Sequence, residues 1–303
     1  MITPFPEFRI GDPVRHEALA VFPLFAEGSR VVDYELADEA MARGTVLVEE
    51  VSNAGSVPDL SAENQGGVRV LFLEGEQLVG AKQNRILNTS VLVAAHTKTK
   101  IPVSCVEAGR WSYRTRRFGS GGTHSPAMLR RVLKSSVYAS LQGMHGYRSD
   151  QGAIWDEVAR QQKALGAASG THAMSDTFEA QRKRLDEFRE RLTVVEGAVG
   201  VAVAIGGKVA AVDFFDKAAT CAKVWKRLLS GVVLDALEVG PGEEQADASA
   251  VERALSQWRT LTWERAEPVG EGEEHRAQSP AGDQASALVL DGTIVHGSVV
   301  YAK

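Results

Sequence analysis

The sequence is poor in cysteine: only Cys105 and Cys221 occur in 303 residues. They lie far apart, one in a predicted strand and one in a predicted helix. That excludes a disulfide framework and any cysteine-based zinc spacing, so a reducing cytoplasm is expected. His16, His96, His124, His145, His172, His275 and His296 form no HxxxH or HxH pair, and no metal site is indicated. No uncharged run approaches the roughly 18 residues that would span a bilayer, so no membrane partner is expected. The opening MITPFPEFRIGDPV lacks a basic segment followed by a long apolar stretch, which leaves a secretory signal unsupported. A GxGxxG after a strand and a GxxxxGK[ST] are both missing, so the standard dinucleotide and P-loop readings lose their main support and no cofactor is named. Basic excess is missing as well. With net charge −5 and a pI near 5.9, no global field attracts polyanions, and nucleic acid is not an expected partner.

What is present is ordinary globular material, 44% hydrophobic and 24% charged. The first third reads as short strands, TVLVEEV (45–51), VRVLFL (68–73), TSVLVAA (89–95) and IPVSCVE (101–107), separated by Gly, Asn, Ser and Pro clusters. Connections this short favour antiparallel pairing. Helices are then predicted: one opened by Ser125 and Pro126 as N-cap and N1 and closed at Gly143, a second over 150–165, and a third over 176–192. VGVAVAI, Gly206-Gly207 and KVAAVDFF read as a hairpin, followed by a helix over 217–230. QWRTLTWE (257–264), SALVLD (286–291) and TIVHGSVVY (293–301) read as strands, the last two joined by Asp291-Gly292. The polar stretches 240–250 and 266–284 read as loops. The expected fold is therefore α+β, with an antiparallel β-rich N-terminal part, central helices, a hairpin and helix, and C-terminal strands. We take 1–303 as one compact domain, with a subdivision near residue 124 as the alternative.

The unusual segment is GEQLVGAKQNRILNTSVLV (75–93), where Lys82, Gln83, Asn84 and Arg85 stand between two apolar runs. A simple turn would use Gly, Asn, Asp or Pro. Alternation in VRVLFLE puts Glu74 on the face of Val70 and Phe72, and in PVSCVE it puts Glu107 beside Cys105. A buried carboxylate needs cations or donors nearby. Glu74, Lys82, Arg85 and Glu107 are therefore expected to converge, with Gln83, Asn84, Arg110 and Trp111, on one pocket of acids, cations and an aromatic wall.

The combined strings "GEQLVGAKQNRILNTSVLV" and "IPVSCVEAGRW" resemble the core signature of the ARG and rhodanese-phosphatase-superfamily-associated protein family, and "IWDEVARQ" and "VAVAIGGKVAAVDFFD" are similar to its second half. The matching positions are Gly75, Glu76, Gly80, Lys82, Gln83, Asn84, Arg85, Cys105, Glu107, Gly109, Arg110 and Trp111, and the resemblance spans roughly residues 20–235. The family has no established biochemical activity. Its name reflects association with ADP-ribosylglycohydrolases and rhodanese-like phosphatases, which implies a role near ADP-ribose or related nucleotides.

On that basis the expected partner is a small anionic, nucleotide-like ligand. Lys82, Arg85 and Arg110 would engage its anionic groups, with Gln83 and Asn84 beside them, Trp111 would stack, and Glu74 and Glu107 would bond ribose hydroxyls or carry out acid–base work. The competing reading is a noncatalytic interaction module in which the same residues form an internal ion-pair network. Cys105 on an apolar strand reads either as an inert buried thiol or as a nucleophile. The loop RTRRFGSGGTHS (114–125), with Arg114, Arg116 and Arg117 before Gly119, Gly121 and Gly122, reads either as a basic loop or as a phosphate cradle.

Overall fold

A computed structural model describes residues 5–26, 31–52, 54–242, 244 and 246–302. Its architecture is α+β. A nine-stranded antiparallel sheet runs in the order Arg9–Ile10, Leu19–Phe25, Gly200–Ile205, Lys208–Phe215, Thr293–Val300, Gln284–Leu290, Glu273–Gln278 and Glu264–Ala266, with Val14–His16 added against Leu19–Phe25. Both predicted hairpins close as expected. Gly206 and Gly207 take φ of 54° and 81°, and Asp291 and Gly292 take 49° and 76°. These are the left-handed values that a two-residue turn between twisted strands demands.

A six-stranded sheet runs in the order Phe118–His124, Glu76–Gly80, Arg85–Leu87, Thr97–Cys105, Asp59–Asn64 and Val46–Glu50. A three-stranded one joins Val91–Val93, Arg69–Phe72 and Tyr34–Leu36, the last pair being parallel. The inner side chains of these two sheets, among them Val48, Leu60, Phe72, Leu87 and Ile101, make their own core.

Helices Ala127–Gln142, Gln151–Ala164, Met174–Ala180, Arg182–Arg191 and Ala218–Val239 share a second core with one face of the large sheet, through Leu133, Val137, Phe188, Val224 and Val295. Helix Ala248–Thr260 covers the opposite face with Val251, Leu255 and Trp258. None of the described helices is long and apolar enough to cross a membrane.

Several expectations change. QWRTLTWE begins inside a helix: Asp247 caps it by accepting from the Ala250 N–H at 2.8 Å, and Val251, Leu255 and Trp258 recur at helical spacing. Its Trp and Thr residues suggest strand by propensity, but the buried stripe decides. The stretch 266–284 holds the strand Glu273–Gln278, whose inner positions are charged and buried and so carry no apolar alternation. The 176–192 helix breaks at Gln181, and the 217–230 helix continues to Val239. Ser125 does not cap its helix. Its hydroxyl donates to the Gly75 carbonyl at 2.9 Å, and the Asp235 carboxylate takes over by accepting from the Ala127 N–H at 2.6 Å.

Candidate functional site

The four polar residues sit where the strands Glu76–Gly80 and Arg85–Leu87 are joined. Gly80 and Ala81 have φ of 120° and 38°, which turns the chain inward and buries the loop. The Arg110 guanidinium organises it. Nε and Nη2 donate to the two Glu107 carboxylate oxygens at 2.8 and 2.6 Å, and Nη1 donates to the Ala81 and Ser112 carbonyls at 2.6 and 2.8 Å. Nη2 also reaches the Asn84 side-chain oxygen at 3.3 Å. The Asn84 N–H and the Thr171 hydroxyl donate to Glu107 at 3.1 and 2.9 Å, and the Gln83 amide donates to the Glu107 carbonyl at 2.9 Å. Burial pushes the Glu107 carboxyl up, but Arg110, Asn84 and Thr171 more than reverse this, so it lies below its ordinary value and stays ionised. Arg110, Glu107, Gln83 and Asn84 are thus bound to one another and fix the loop.

Arg85 is different. It is 0% exposed, its Nη1 donates to Gln83 at 2.9 Å, and among the described residues its Nε and Nη2 have no hydrogen-bond partner. Among the described residues the nearest carboxylate, Glu50, is 4.0 Å from Nη2, beyond bonding distance, and its own Oε2 has no hydrogen-bond partner. The Arg85 guanidinium lies 5.5 Å from the Trp111 ring centre. Lys82, which donates to the Ala54 carbonyl at 2.7 Å, lies 5.3 Å from Trp111 and 5.1 Å from Tyr113. Trp111 and Tyr113 are 46% and 50% exposed. Beside them opens a groove of ≈ 630 Å³ lined by Glu49, Glu50, Ser52, Tyr113, Arg114, Thr115 and Arg116. The basic stretch splits here: Arg114 and Arg116 face the groove, whereas 118–124 is a strand paired with Glu76–Gly80. Cys105 lies under Arg85, but burial dominates and holds its thiol up at about 11, so it is not a thiolate at neutral pH.

Glu74 does not join this cluster. Its carboxylate is 2.8 Å from Lys134 Nζ and 3.5 Å from Arg276 Nη2, and it accepts from the Ser286 hydroxyl at 3.3 Å. The single pocket expected from the strand alternation is therefore two networks. The alternation was right about burial, but strands 69–72 and 97–105 belong to different sheets and deliver Glu74 and Glu107 to different places. Around Glu74 lies an interior web. Arg130 holds Asp213, Asp213 accepts from His296 at 3.3 Å, His296 meets the Ser90 hydroxyl at 2.7 Å, and Arg276 pairs with Glu274 at 3.0 Å. Burial raises the Glu74 carboxyl, but the surrounding charges of Lys134, Arg276 and Arg130 bring it below its ordinary value. Burial and those same neighbouring arginines draw Lys134 down to about 8. Burial, with the Glu74 charge, holds Glu274 up at about 7. Ser90, His296 and Asp213 touch in series, yet all three are buried and Asp213 is clamped by Arg130, so the series is part of a packed interior.

Sequence reasoning passed over Arg130, Lys134, Asp213, Glu274 and Arg276. One signal was available: Arg130 and Lys134 flank Leu133 on the inward side of their helix, where the usual pattern has apolar residues. A further group, His16, Glu17 and Glu187, brings potential metal-ligand atoms within 4.8 Å of one another. Arg184 already bonds both of its carboxylates.

The 80–85 hairpin is thus a buried polar element of an α+β chain, lying beside a partly aromatic, cation-lined groove. The chain belongs to the ARG and Rhodanese-Phosphatase-superfamily-associated Protein domain family, whose model matches residues 7–300, a longer span than the signature strings alone suggested. No curated protein and no solved structure matches it.

Proposed function

We propose that the chain binds a small phosphorylated nucleotide in the groove beside the 80–85 hairpin, with ADP-ribose-like compounds as the class that the family's name suggests. The observation that carries this is Arg85, fully buried near Trp111 with two nitrogens unpartnered among the described residues and 4.0 Å from Glu50, which lines the groove. A buried donor without a partner is costly, and an anionic oxygen would satisfy it. In this reading Arg114 and Arg116 meet phosphate at the groove wall, Arg85 and Lys82 take the deeper charge, Trp111 or Tyr113 stacks on the base, and Glu50 bonds ribose hydroxyls. Arg110, Glu107, Gln83 and Asn84 position these groups. No proton transfer is assigned to Glu74 or Glu107, because both are buried and already taken up by cations and hydrogen-bond donors, which makes them inaccessible and weak bases. A cytoplasmic setting belongs to the same proposal, supported by two buried free thiols.

The test is a thermal-shift screen against nucleotides, nucleotide sugars and ADP-ribose. A ligand at 100 times its Kd stabilises by about 2.7 kcal/mol. Trp111→Ala and Arg114→Ala should abolish the response. A flat profile across the panel favours the second reading, a noncatalytic interaction module, which the complete internal pairing of Arg110 with Glu107 also supports.

A further inference from the structure

We infer that the cavity floored by Arg276 is a second binding site, shaped for a small monocarboxylate with an apolar or aromatic body. The cavity, ≈ 570 Å³, lies between the end of helix Ala127–Gln142 and the edge strand Glu264–Ala266, and Tyr138, Leu141, Tyr147, Val269 and Arg276 line it. Arg276 is 2% exposed. Its Nη2 meets Glu274 at 3.0 Å, Glu74 at 3.5 Å and the Asn88 carbonyl at 3.5 Å, while Nε has no hydrogen-bond partner among the described residues. Its guanidinium carbon lies 5.6 Å from the Tyr147 ring centre.

Among the other polar groups of the wall the two tyrosine hydroxyls and the Gln142 amide are occupied, and Arg265, 65% exposed, lies 3.6 Å from Glu273. The Tyr147 hydroxyl donates to the Glu267 carbonyl at 2.7 Å, and the Tyr138 hydroxyl donates to Glu264 at 3.0 Å. What the cavity lacks is one acceptor at the guanidinium edge, surrounded by apolar and aromatic surface. A carboxylate supplies that acceptor. A phosphate dianion fits less well, because Glu74 and Glu274 already offset much of the Arg276 charge and the Glu264 and Glu267 side chains stand at the wall. The site is separate from the groove beside Trp111, so it does not depend on the nucleotide proposal.

Isothermal titration calorimetry of the full chain with benzoate, methyl benzoate and phenyl phosphate tests it. Saturable binding of benzoate at one per chain is expected, with the ester and the phosphate each weaker by about tenfold or more. Leu141→Trp fills the cavity from the helix side without removing a charge, and it should abolish benzoate binding. Arg276→Gln should do the same, and if that variant does not fold, Leu141→Trp still decides. Lys98→Ala, which removes a 66% exposed cation on strand Thr97–Cys105, should bind benzoate like the wild type. The inference is overturned by no saturable benzoate binding up to about 10 mM, by equal binding of acid and ester, by tighter binding of the phosphate, or by undiminished binding in Leu141→Trp.

Discussion

Arg130 and Asp213 grip each other through two hydrogen bonds, Nη1 to Oδ2 at 2.8 Å and Nη2 to Oδ1 at 2.6 Å, with both side chains withdrawn from water. The pair ties helix Ala127–Gln142 to strand Lys208–Phe215. Removing one partner strands a buried charge, so Asp213→Ala and Arg130→Ala should each cost about 3–5 kcal/mol in chemical denaturation. The double replacement Arg130→Met with Asp213→Leu should recover much of that. If the double variant is as unstable as the two single losses added together, the two side chains are not coupled and the stranded-charge account of the single losses is wrong.

The same logic separates scaffold from recognition at the hairpin. Arg110→Ala, which takes the bidentate cation from buried Glu107 and leaves it the Asn84 and Thr171 donors, should lose about 3–5 kcal/mol. Arg114→Ala removes a side chain that is 60% exposed and should stay within about 0.5 kcal/mol of wild type. Equal losses in urea titrations of the two would mean that the groove wall also holds the fold.

Glu274 makes stability depend on pH. Its carboxyl sits near 7 in place of 4.5, so between those values the folded chain keeps a proton that the unfolded chain releases. Stability should therefore fall as pH rises from 4.5 to 7 and then level off, over a span worth at most about 3 kcal/mol. Glu274→Gln should flatten this part of the curve. Denaturation midpoints at several pH values between about 5 and 8 give the comparison, and parallel slopes in the two proteins would count against the assignment.

Gly231 should reverse a familiar sign. In an open helix interior, Gly→Ala stabilises by about 0.5–1 kcal/mol. Here an added Cβ would stand 2.5 Å from the Ser125 carbonyl oxygen and 2.7 Å from that of His124. Gly231→Ala should thus cost about 1–3 kcal/mol, visible as a lowered Tm. A gain would show that the strand end moves aside freely.

Much of the fold was legible in local pattern. The Gly206-Gly207 and Asp291-Gly292 hairpins follow from which residues accept positive φ, and helices 127–142 and 151–164 follow from apolar spacing. The strand Glu273–Gln278 was not legible, because burying charged residues there depends on Glu74, Lys134 and Thr89 arriving from elsewhere. The KQNR segment was recognisable as unusual from its polarity alone, but its burial was not, and Glu74, one of the two carboxylates expected to meet it, pairs with Lys134 instead. The segment's division into a bonded scaffold and an Arg85 unsatisfied among the described residues was not legible either.

The sequence by itself determined most of the element types, the tight turns and the family, because backbone dihedral preference and side-chain period act between near neighbours. Only the tertiary structure decided which charges meet. Arg130 finds Asp213 across 83 positions, and Glu74 finds Ser286 across 212. Coulomb attraction depends on distance and local dielectric, not on order along the chain, so these partners were settled only when the sheets and the central helices packed.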